Sequence, residues 1–309
     1  MKKNGCIMSK TIIVASFLAL VGVISPAFEL RAGADETGSK HLGEARSTVE
    51  KSSLTREAKA GLLAKADQAV TSGLPAEDVA IIITRGLNQG APVADIEGFL
   101  ETATTVKKRN LPVRLVLDRI EQGLAKGAPA ERISEVTRKL SGHLATAKPM
   151  VDKIESNELK PARSGRPDDA IEAVARALEK SIPPGAIMLT GEKVRDRKGS
   201  LMLFDRAVDT MTVFVGNGMH AEEASRMVHS AIDRGYSERD LDTMERYMSD
   251  ELRKKRSMND VVSGMEARME RGDMRERHDR SGGGMMGGPG SDGSGGSGSG
   301  MRGGGGRMR

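Results

Sequence analysis

Methionine is the residue type this chain concentrates where chemistry could follow. Sixteen of its eighteen methionines lie beyond residue 27, and fifteen of those follow residue 187. A thioether is soft and polarisable, so such a set could line a deformable groove for a partner helix or hold copper(I). Met227, Met244, Met248 and Met265 are the candidates for a partner-binding surface. Against this, Met219, Met227, Met265 and Met269 stand where an earlier stretch of the chain has Leu74, Ile82, Ile120 and Leu124. That correspondence favours core packing over a groove, and a groove over a metal.

Two basic clusters form a second candidate: Lys107-Lys108-Arg109 and Arg253-Lys254-Lys255-Arg256. Repeated cations of this kind could hold anionic lipid head groups or another polyanion. The plainer account is that Lys and Arg in a last helical turn complement the helix dipole and stay solvated. Nucleic acid is disfavoured as a partner, because Trp is absent and only four Phe and two Tyr follow residue 27 to stack on bases.

The histidines, His41, His143, His220, His229 and His278, form no paired helical ligand motif. His229 and Asp233 are one helical turn apart and could share a hydrogen bond, as many surface pairs do. Cys6 is the only cysteine. It lies in a basic leader, so the remainder offers no thiol for a disulfide, a zinc site or a nucleophile. There is no phosphate-binding glycine loop after a strand and no Gly-x-Ser-x-Gly elbow. The residues therefore imply a non-enzymatic protein with no cofactor and no metal.

The leader itself carries Lys2, Lys3 and Lys10, an apolar run over 11–24 and a small-residue exit at Ser25-Pro26-Ala27. This is the pattern of a secretory signal peptide. Fourteen apolar residues fall short of the roughly 20 that span a bilayer. Export is expected, to a periplasm or outside the cell, with no membrane span after cleavage. Setting the three leader lysines aside lowers the net charge from +5 to +2.

The elements that must position these residues announce themselves by a recurring phrase. Gly73-Leu74-Pro75, Gly90-Ala91-Pro92, Asn110-Leu111-Pro112 and Gly127-Ala128-Pro129 start 17, 20 and 17 residues apart, a two-helix period of 37. Glycine accepts the left-handed conformation that ends one helix, and proline is pre-set for the start of the next. Between corners, Val79, Ile82, Ile83 and Leu87 take the three-and-four spacing of one buried face. Adding 145 carries Gly73, Glu77, Gly90, Asp95 and Gly127 onto Gly218, Glu222, Gly235, Asp240 and Gly272. An internal duplication is expected.

The fold expected is all-α: duplicated antiparallel helical hairpins, stacked as a solenoid-like array or as two bundles. The aromatic signature of tetratricopeptide repeats and the Thr-Pro-Leu-His of ankyrins are missing. The boundaries expected are a signal peptide at 1–27, a flexible lead-in at 28–53 and a helical module at 54–159. A linker at 160–167, a second module at 168–280 and a disordered tail at 281–309 follow. A solvated helical extension is expected over 273–280. The tail holds fifteen glycines in twenty-nine residues, too little apolar surface to order itself. Such arrays more often bind than catalyse. The expectation is an interaction or scaffold protein of the cell envelope with an unknown envelope partner, or else an envelope binder of anionic lipid or polymer through the basic corners.

Overall fold

The computed structural model describes residues 32–156 and 166–275, and it is all-α. Twelve helices occupy these residues, with no strand among them. They are α1 (Ala32–Lys51), α2 (Arg56–Thr71), α3 (Ala76–Asn88), α4 (Val93–Lys108), α5 (Arg114–Ala125) and α6 (Ala130–Ser156). Then come α7 (Pro167–Glu179), α8 (Pro184–Asp196), α9 (Leu201–Gly216), α10 (Ala221–Asp233), α11 (Glu238–Arg253) and α12 (Met258–Arg271).

The corners share one hydrogen-bonding solution. At the first, the amide of Gly73 donates to the Val70 carbonyl at 2.9 Å and that of Leu74 to Ala69 at 3.2 Å. The same pair of bonds closes the helix before Asn110, where the amides of Asn110 and Leu111 reach Lys107 and Val106. Gly73 has φ +91° and Asn110 φ +53°, the left-handed step of a Schellman stop. The next residue, Leu74 or Leu111, is buried, and Pro75 or Pro112 follows. The Gly-apolar-Pro phrase is thus a stop, a buried plug and a start. Three further corners use Ser181, Lys198 and Lys255 at positive φ, because the two backbone bonds do not depend on the side chain.

Before α2, α9, α11 and α12 a hydroxyl caps the new helix, from Thr55, Ser200, Ser237 and Ser257, while α10 starts at His220 with neither proline nor a side-chain cap. Ser237 accepts from the Asp240 amide, and the Asp240 carboxylate takes the Ser237 amide at 2.8 Å, a full capping box on α11. Replacing Ser237 with alanine is expected to cost about 1 kcal/mol, read as a lower urea midpoint at unchanged slope. An unchanged midpoint would mean the box contributes nothing.

Helix bounds recur at the offset seen in the sequence: Arg56–Thr71 onto Leu201–Gly216, Ala76–Asn88 onto Ala221–Asp233, and Val93–Lys108 onto Glu238–Arg253. Packing on the second neighbour recurs, α1 on α3, α2 on α4, α3 on α5, α4 on α6, α7 on α9, α8 on α10 and α9 on α11. One departure stands out. Counting 37 from Pro75 and Pro112 reaches Pro149, yet Pro149 lies inside α6, which runs unbroken for 27 residues. The left-handed residue that stops the chain at Gly73 and Asn110 would here be Ala147, which is fully buried. Ala147 is helical instead, and the helix continues.

Several expected boundaries change. The lead-in at 28–53 is helical over Ala32–Lys51, with Ala45 and Val49 of α1 buried where it packs on α3. Small residues bury little surface each, so they left no strong periodic signal. Of the linker, 160–165 lies outside the described residues and Pro167 opens α7. The helical extension over 273–280 is not formed where it is described: α12 ends at Arg271, Gly272 is left-handed at φ +75°, and Met274 is buried. The signal peptide at 1–27, residues 276–280 and the tail at 281–309 lie outside the described residues. The core is a single hydrophobic cluster from Ala45 to Met274, with α6 packed on α5, α7 and α8.

Candidate functional site

The four candidate methionines do not line a surface. Met244, Met248 and Met265 are fully buried and Met227 nearly so. Each fills core space inside α10, α11 or α12, the packing that the Leu and Ile correspondence favoured, so these four offer no partner-binding groove.

The basic corners are exposed, but they differ. In the second, Arg253 pairs with Asp250 at 3.3 Å, Lys254 with Glu251 at 2.7 Å and Arg256 with Glu251 at 3.7 Å. In the first, Lys107, Lys108 and Arg109 are exposed and make no ion pair with any described residue. The first corner is wholly uncompensated, whereas in the second only Lys255 makes no ion pair with a described residue.

His229 is buried, with Nε2 at 2.9 Å from the Thr190 hydroxyl. That hydroxyl spends its proton on the Ala186 carbonyl at 2.9 Å, which assigns the donor role to Nε2. Burial, then the Lys193 charge, hold its pKa below the ordinary histidine value. Asp233 pairs with Lys193 at 2.6 Å instead, so the hydrogen bond expected between His229 and Asp233 is not made. The other described histidines are on the surface or at helix ends.

Around His229 the structure opens a groove that periodicity did not reveal. It is a cavity of about 760 Å³ between α8 and α10. Pro183, Gly185, Ala186 and Leu189 form one wall, and Ser225, Arg226, Ser230 and Arg234 the other. It exists because Gly185, Ala186, Ser225 and Ser230 are small where the two helices face each other. Leu189 is 42% exposed, one of two large hydrophobics left in water among the described residues. Arg226 is exposed with no ion pair to any described residue, and the Arg234 Nε donates only to Ser230 Oγ at 3.3 Å. Lys193 and Asp233, also in the lining, pair with each other, so an apolar wall with two guanidiniums against the one Glu222 carboxylate suits a segment that brings an apolar side chain and a carboxylate.

A second constellation runs across α7, α9 and α11. Arg176 holds Asp209 at 3.0 Å and Glu172 at 3.6 Å. Arg206 holds Glu245 at 2.6 Å, and the Thr210 hydroxyl donates to the same carboxylate at 2.7 Å. Beside them Asp205 has one carboxylate oxygen buried with no partner among the described residues. Burial first, and then the Asp209 charge, push its pKa from 3.8 up to about 6. A carboxyl with such a value could act as a general acid. The nearby 510 Å³ cavity is lined by Arg206, Asp242, Glu245 and Arg246 and not by Asp205, so no substrate space adjoins the perturbed group there. The network ties three helices together.

Among the described residues no group of three or more His, Cys, Asp or Glu is placed to hold a metal ion. No helix among them is long and apolar enough to cross a membrane. No protein-family model, no curated protein and no solved structure matches the chain.

Proposed function

We propose that this chain is an exported, non-enzymatic interaction module of the cell envelope, and that its partner docks in the groove between α8 and α10. The carrying observation is Leu189, left exposed on one wall of the groove whose other wall carries Arg226 and Arg234, neither ion-paired to a described residue. The partner chemistry that fits is a protein segment with an apolar anchor flanked by carboxylates. Export rests on the leader of the sequence.

The test is capture from the protein's own envelope extract, washed at low and at high salt. The natural chain should retain one protein at high salt, since apolar contact survives screening. Leu189→Glu should weaken retention tenfold or more, the worth of burying one leucine, with Tm unchanged because the side chain is exposed. Retention indifferent to Leu189→Glu would discard the groove.

The second reading keeps one specific support, the unpaired corner at Lys107, Lys108 and Arg109. If anionic lipid or polymer is the ligand, binding should disappear at high salt and on replacing these three with Gln. The Arg253 to Arg256 corner should contribute less, because Asp250 and Glu251 already occupy it.

A further inference from the structure

We infer that the partner segment lies in the groove between α8 and α10 as an extended strand, with one of its backbone amides donating to Nδ1 of His229. The inference rests on the groove being a docking site and names the conformation the groove accepts. His229 lines the groove and is only 9% exposed. Its Nε2 proton is spent on Thr190 of α8 at 2.9 Å, so Nδ1 is left as an acceptor. Nδ1 makes no hydrogen bond with a described residue and is not sealed from the groove. One turn earlier, Ser225 gives its own proton to the Ala221 carbonyl at 2.7 Å, so it too faces the groove as an acceptor. A polar group so nearly dry is costly to leave unmet. This wall therefore calls for N–H donors between the carboxylates that Arg226 and Arg234 would take.

A helix has spent its interior amides on its own carbonyls, whereas a strand keeps a free row of them along each edge. The spacings agree with a strand. Ser225 and His229 are about 6 Å apart along α10 at 1.5 Å per residue, and alternate amides of a strand are about 6.6 Å apart. Arg226 and Arg234 are about 12 Å apart on the same axis, and side chains four residues apart on one face of a strand span about 13 Å. Leu189, next to the Thr190 that meets His229, stands level with the middle of that span. The sequence that fits is Glu-x-Leu-x-Glu.

The first half of the chain carries no such wall. At the offset of 145, Leu189, Arg226, His229 and Arg234 correspond to Glu44, Ile81, Thr84 and Gln89. The buried stripe keeps its apolar character, with Val79, Ile82 and Ile83 against Ala224, Met227 and Val228. The core face of α10 thus repeats that of α3, while its groove face is its own.

The probe is the peptide Ala-Glu-Ala-Leu-Ala-Glu-Ala, fluorescein-labelled, amidated at its C-terminus and titrated with the full chain by fluorescence anisotropy. It is remade with one N-methyl group on each backbone amide in turn. Binding is expected to fall about tenfold at one amide, or at two amides two residues apart, and by no more than about twofold elsewhere. His229→Gln, which has an N–H for Thr190 and an oxygen for the groove, should keep the parent affinity within about threefold. His229→Leu should lose about tenfold and remove the penalty of one methyl group. A flat methylation profile, a profile unchanged in His229→Leu, or helical circular dichroism gained by the peptide on binding would overturn the strand. So would no peptide binding; if envelope-partner retention is still sensitive to Leu189→Glu, the groove survives that failure, and if retention is indifferent, both fall.

Discussion

Replacing Gly123 with alanine is expected to lower stability by about 1–3 kcal/mol, the usual cost of overpacking a tight core. A Cβ on Gly123 would stand 2.7 Å from Cγ1 and 2.9 Å from Cδ1 of Ile133. Ile133 is buried in the first turn of α6 and is β-branched, so it has little rotameric freedom with which to move aside. Two further contacts repeat the design: Gly86 would meet Ile96 at 2.8 Å, and Gly191 would meet Ile154 at 2.8 Å. Absent side chains thus set the approach of α3 to α4, α5 to α6 and α8 to α6. In the second half the positions equivalent to Gly86 and Ile96 hold Ala231 and Leu241, a larger residue facing a more pliant one. Ile96→Leu should therefore recover part of the loss in Gly86→Ala. Gly98 and Gly142 have nothing within 4 Å of a built Cβ, and alanine there should stabilise by about 0.4–1 kcal/mol. Thermal unfolding separates the two classes, at about 2–4 °C per kcal/mol for a chain of this size. Gly123→Ala unfolding no earlier than the natural chain would defeat the account.

Asp205→Asn is expected to stabilise the protein at pH 7 and to leave it unchanged at pH 4. In the folded state burial, and then Asp209, raise the Asp205 pKa from 3.8 to about 6, so the fold binds this proton more tightly than the unfolded chain does. The contribution is fully present below about pH 4 and is lost as pH climbs towards 6. Ionising the carboxyl in place costs at most about 3 kcal/mol, and screening of a partly exposed group reduces that to about 1–2 kcal/mol. Burial likewise raises Asp78, Glu121, Glu172 and Glu245, so the natural chain should also lose stability on going from pH 4 to 7. Chemical unfolding across that range measures both curves. A gain for the variant that is the same at pH 4 and pH 7 would show that the charge is not its source.

The corners were legible because Gly73, Gly90, Gly127, Gly218, Gly235 and Gly272 all take positive φ, which few other residues do cheaply. Ser181, Lys198 and Lys255 take it too, and nothing in their side chains announces it. Helix α1 was missed because Ala45 and Val49 bury it with little surface. The mapping of Met227 and Met265 onto Ile82 and Ile120 already pointed to the core. The groove was invisible for a different reason: periodicity tells which face of one helix is buried, not how closely two helices far apart in sequence approach. Leu189 lies off the buried stripe of α8, and its meaning depends on Arg226 and Arg234 facing it from α10.

The unbroken passage of α6 through Pro149 has a mechanical side. At the other corners the chain reverses and one helix ends before the next begins. Over Ala130–Ser156 that articulation is replaced by a rod of 27 residues, about 40 Å long. The rod acts as a splint in the middle of the molecule: α4 and α5 from before it and α7 and α8 from after it all lie against the same unbroken element.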